Sequence, residues 1–116
     1  MTIYAFDVDE TLEISEGPVL IAALRELVAQ GHVVGLCGNY AKAVHTIPDW
    51  PRIMSFLGPM GMTKAEFLAQ LRTYISPDVV MVGNIPGVSG SSEDSTAAEI
   101  AEVRFIQEHA FAEGAR

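Results

Sequence analysis

Hydrophobic and polar positions along this chain switch repeatedly between two periods. Thr2-Ile3-Tyr4-Ala5-Phe6 is a short run of strand formers that stops at acids, which predicts a buried strand. Leu20, Leu24, Leu27 and Val28 then recur at helical spacing between Gly17-Pro18 and Gly31. Pro18 suits a first helical position and Gly31 a helix stop. His32 to Cys37 reads as a second buried strand, so the unit is strand–helix–strand with a right-handed parallel crossover.

Tyr40 to Thr46 predicts a short helix ended by Pro48 and Pro51. Ile53 to Leu57 predicts a third strand closed by Gly58-Pro59. Thr63, with Glu66 three residues on, is a capping-box start for a helix whose apolar stripe is Phe67, Leu68, Leu71 and Ile75. Val79 to Val82 reads as a fourth strand, followed by a Gly- and Ser-rich loop. A helix over 94–101, a fifth strand near 103–106 and a short terminal helix complete the pattern.

Alternating strands and helices predict an α/β fold. The expectation is a three-layer α/β/α sandwich with a mostly parallel, five-stranded, Rossmann-like sheet, forming one domain over residues 1–116. No repeat, linker or low-complexity tract interrupts it.

Composition narrows the function classes. The formal net charge of −8 argues against nucleic acid and anionic membranes as partners. A small phosphorylated substrate remains compatible, because one bound metal ion reverses the local field. Charged residues make up only 19% of the chain, below the ~25% usual for soluble domains, which points toward a surface covered by a second copy in a homo-oligomer. The single Cys37 suits a reducing compartment, and neither a leader pattern nor a membrane-length apolar run is present, so a cytoplasmic location is expected.

Open α/β sheets bind ligands beyond the carboxyl ends of their strands. The first predicted strand ends in Asp7 and Asp9, and the second in Cys37-Gly38-Asn39. Lys64 follows the third, Asn84 ends the fourth, and Glu93-Asp94 lie beyond its loop. Such a set suits phosphoryl transfer. A carboxylate can attack phosphorus if a hard cation such as magnesium offsets the mutual repulsion. A second carboxyl can pass protons, and a lysine with amide or hydroxyl groups can hold the phosphate.

Phe6-Asp7-Val8-Asp9-Glu10-Thr11-Leu12 resembles the first motif of the haloacid dehalogenase superfamily, Asp-x-Asp-x-Thr after an apolar strand. Lys64 resembles that family's third motif, and Val80 to Asn84 with Glu93-Asp94 resembles its fourth. The resemblance implies a magnesium-dependent phosphatase acting on a phosphomonoester. Asp7 would be nucleophile and metal ligand. Asp9 would be general acid/base and would also ligate metal through its carbonyl. It further implies metal ligation by Asn84 and Asp94, and phosphate holding by Thr11, Cys37, Gly38, Asn39 and Lys64, with Lys42 the competing clamp. The segments after the first and third strands are too short for a cap domain, so the resemblance is to capless members.

Two positions depart from that pattern. Cys37 stands where the family ends its second strand in Thr or Ser. Asn84 stands where an aspartate is usual, and its amide oxygen can ligate magnesium but brings no charge. Both departures motivate an alternative, a degenerate relative that keeps the fold as a binding or scaffold module. Other classes fit poorly. A receiver domain needs an aspartate after the third strand, where Gly58-Pro59 stands. A cysteine phosphatase needs Arg where Ala43 stands, no Walker loop is present, and His32, His45 and His109 lack ligand spacing.

Overall fold

The computed structural model describes all 116 residues. Its strands are β1 (Ile3–Phe6), β2 (Val33–Cys37), β3 (Leu57–Gly58), β4 (Val79–Gly83) and β5 (Arg104–Gln107). Its helices are α1 (Ile21–Ala29), α2 (Tyr40–Thr46), α3 (Lys64–Tyr74), α4 (Asp94–Ala101) and α5 (Glu108–Ala112). The five strands form one sheet in the order β3-β2-β1-β4-β5, and every pairing is parallel.

Strand alternation sorts the core onto two faces. Tyr4, Phe6, Leu36, Val80 and Val82 pack with Leu24 and Leu27 of α1, Ala43 of α2 and Phe111 of α5. Ile3, Ala5, Cys37 and Met81 face the other way, onto Leu68 and Leu71 of α3 and the alanines of α4. Helices therefore cover both faces, as the near-continuous apolar runs of the central strands require. No helix is long and apolar enough to cross a membrane.

Two expectations are corrected. Pro18 does not start α1. After a 3-10 turn over Glu13–Ser15, Glu16 adopts a left-handed conformation and the chain returns to pair Leu12 with Val19. The helix begins at Ile21, whose N–H donates to Glu13 Oε2 at 2.6 Å, and Leu20 is left 56% exposed. The third strand is also shorter than the apolar run 53–57 implies. Pro51 lies in a 3-10 turn over Trp50–Arg52, and Ile53 keeps helical dihedrals, so regular pairing starts only at Leu57. Ile53 and Met54 are buried as core residues all the same.

Candidate functional site

Strand order places the site. From β1 the chain moves outward through β2 to β3, then returns to lay β4 on the other side of β1. The order thus reverses between β1 and β4, where doubly wound sheets open a crevice. Asp7 leaves the end of β1 and Asn84 the end of β4. The two strands are tied there by the Asp7 N–H donating to Val82 O at 2.9 Å.

Asp7 is buried, and Lys64 Nζ donates to its Oδ1 at 3.1 Å. Lys64 is the first residue of α3, placed there by the Thr63 cap, whose hydroxyl accepts the Glu66 N–H at 3.1 Å. The same ammonium donates to Asp94 Oδ1 at 2.7 Å. Asp94 opens α4, and its Oδ2 accepts the Asn84 backbone N–H at 2.9 Å. Asp7 and Asp94, far apart in sequence, thus meet on one lysine.

The electrostatics follow from crowding two acids around one base. Burial, with the nearby Asp7 charge, pushes the Asp94 carboxyl up to about 7 despite Lys64. Burial alone would lower the Lys64 ammonium, but Asp7 and Asp94 together hold it above its ordinary value. Burial pushes the Cys37 thiol up to about 12, and Cys37 packs into the α3/α4 side of the core.

Asp9 lies beside Asp7 in sequence but in a different polar network. Ser15 Oγ donates to Asp9 Oδ1 at 2.8 Å, and Lys42 Nζ donates to Ser15 Oγ at 2.9 Å. Asn39 Nδ2 stands 3.5 Å from both Asp9 oxygens. Asp9 is only half-buried, so it meets both this network and solvent. The two lysines therefore divide the work: Lys64 serves Asp7, and Lys42 reaches Asp9 through Ser15.

The remaining sequence candidates fall as follows. Gly38 passes so close to Asp7 that a Cβ there would overlap Oδ1, and its N–H is already donated to Gly58 O at 2.9 Å. Thr11 is fully buried and its hydroxyl has no partner. Glu93 is exposed and precedes α4 as its cap residue. Asn84 is fully buried, and its Nδ2 donates to Glu108 Oε2 at 2.9 Å.

Sequence reasoning missed Ser15 and Glu108. Ser15 carries no sequence signal, since only the turn over Glu13–Ser15 folds it back onto Asp9. Glu108 carries one: it follows β5 directly, and strand ends are where acids matter.

No three His, Cys, Asp or Glu side chains converge into a ready-made metal cluster. A hard cation nevertheless suits two oxygens. Asp7 Oδ2 and Asn84 Oδ1 are buried without a hydrogen-bond partner, at the ends of adjacent strands. Such oxygens lose hydration with no return unless a donor or cation meets them. Asp94 has both oxygens engaged already, by Lys64 and the Asn84 N–H, which leaves it a supporting rather than a free ligand.

No family model, curated protein or solved structure matches the chain.

Proposed function

We propose that the chain is a magnesium-dependent phosphatase of the haloacid dehalogenase type, acting on small phosphomonoesters in the cytoplasm. The observation that carries this reading is the Lys64 bridge. One ammonium joins Asp7 to Asp94 at the crevice between β1 and β4, beside a second, solvent-reaching carboxylate on Asp9.

Each residue then has a task its surroundings support. Lys64 holds Asp7 Oδ1, leaving Oδ2 without a protein partner. Asp7 forms an O–P bond to the phosphoryl group as the P–O bond to the leaving alcohol breaks. Asp9 gives its proton to the departing oxygen. It then takes a proton from the water that attacks phosphorus, which releases phosphate and restores Asp7. Ser15 and Asn39 hold Asp9 in place for both transfers. Asp7, the Asp9 carbonyl and Asn84 would hold the magnesium ion, which supplies charge neutralisation between carboxylate and phosphate.

Hydrolysis of para-nitrophenyl phosphate with magnesium, abolished in Asp7→Asn, is the expected result. A second reading, a binding module that keeps the fold, is favoured by the full burial of the Cys37 thiol and by Asn84 in place of an acid. Absence of turnover across a broad phosphomonoester panel would select it.

A further inference from the structure

Glu108 is fully buried at the start of α5 and takes no part in the chemistry above. Its Oε2 accepts the Asn84 side-chain amide at 2.9 Å. Its Oε1 has no hydrogen bond, with His109 Nε2 at 3.6 Å.

The surroundings of Asn84 fix which way its amide points. Every group about Nδ2 is an acceptor: Glu108 Oε2 at 2.9 Å, Glu10 O at 3.4 Å and Ser89 O at 3.5 Å. Turned over, the amide oxygen would face a carboxylate and two carbonyls. Oδ1 is therefore held on the opposite side, buried and unpartnered. Gly90 closes the space behind, where a Cβ would come within 2.7 Å of Asn84 Cγ.

We infer that Glu108 is a positioning residue for the cation of the proposed site, because its carboxylate takes the Asn84 NH₂ and so presents Oδ1 as ligand. This rests on the reading of Asp7 and Asn84 as cation ligands. The arrangement also explains how a neutral side chain serves at that station. The acidic side chain missing from position 84 stands one hydrogen bond behind it, as Glu108. A ligand's outer partner of this kind orients it and raises its basicity.

The pair also changes what Asn84→Asp would do. Alone, it places two carboxylates in contact and gains nothing. Combined with Glu108→Gln, it exchanges donor and acceptor, since the introduced glutamine amide would donate to the introduced aspartate.

The test is calorimetric titration of the full chain with Mg²⁺ alone. Glu108→Gln and Glu108→Met should each weaken binding about ten- to a hundredfold. The double variant Asn84→Asp/Glu108→Gln should bind Mg²⁺ more tightly than Glu108→Gln alone but short of wild type, because Glu10 O and Ser89 O still face the introduced carboxylate oxygen, and a metal-free melting scan should show each protein folded. Wild-type affinity in both Glu108 variants overturns the inference, and so does a double variant that binds no better than Glu108→Gln alone. The double variant is close to isosteric with the native pair, so it decides the matter even if Glu108→Met folds poorly. If instead wild type takes up no Mg²⁺, or Asp7→Asn binds it equally well, the cation site itself is wrong and this inference falls with it.

Discussion

Lys64 Nζ lies 2.7 Å from Asp94 Oδ1 while also reaching Asp7, so a single cation holds together the first turns of two helices and the end of the central strand. Removing it leaves two buried carboxylates facing each other. Lys64→Met should therefore lower the stability of the metal-free protein by about 2–3 kcal/mol, toward the lower end for a broken buried pair because the lysine is partly exposed. Urea unfolding in EDTA measures this. Unchanged stability would mean that the bridge contributes nothing in solution.

The raised Asp94 carboxyl makes stability depend on pH. Its folded value, about 7, lies above the ordinary 3.8, so between those values the folded protein holds a proton that the unfolded chain has released. Stability from this group is complete below pH 3.8 and falls as pH rises toward 7. In EDTA, Asp94→Asn should flatten the decline in melting temperature across that window. A parallel decline in wild type and variant would remove Asp94 as its source.

Cys37 should behave as a core residue. With its thiol buried and pushed up to about 12, almost no thiolate exists near neutrality, and native protein should resist thiol-exchange reagents at pH 8 until unfolded. Cys37→Ser should cost about 1–3 kcal/mol, the usual penalty for burying an unsatisfied hydroxyl. Rapid labelling of the folded protein would contradict its burial in the core on the α3/α4 side of the sheet.

Ser15→Ala should lower kcat for para-nitrophenyl phosphate about tenfold with little change in KM, since it frees Asp9 without touching the nucleophile or its lysine. Lys42→Ala, one bond further out, should act in the same direction more weakly. Equal activity in wild type and Ser15→Ala would show that Asp9 does not depend on this contact.

Asp7, Lys64 and Asp94 are legible in the sequence because each sits where an element begins or stops, and composition marks such boundaries well. Four strands and α2–α4 are legible for the same reason. What hydrophobic pattern misjudges are places where the chain turns without a regular period. Residues 12–19 double back through Leu12–Val19 pairing, and a 3-10 turn carries Ile53 out of the sheet; both look regular in hydrophobicity. Ser15 is unreadable because its contact depends on that doubling back. Glu108 is readable, since it directly follows β5, but its acid lies one strand beyond the set that the phosphoryl-transfer pattern demands.

The acceptance of the Asn84 N–H by Asp94 Oδ2 pins both ends of the stretch 85–93, while Gly87 and Val88 at its tip stand exposed. Length added at that tip changes the ring that the clamp closes, not the clamp. Doubling such a loop adds only about 0.6 kcal/mol of closure entropy. Gly87-Val88 is accordingly a grafting point for an inserted hairpin, as long as Ser89 and Gly90 keep their places against Asn84.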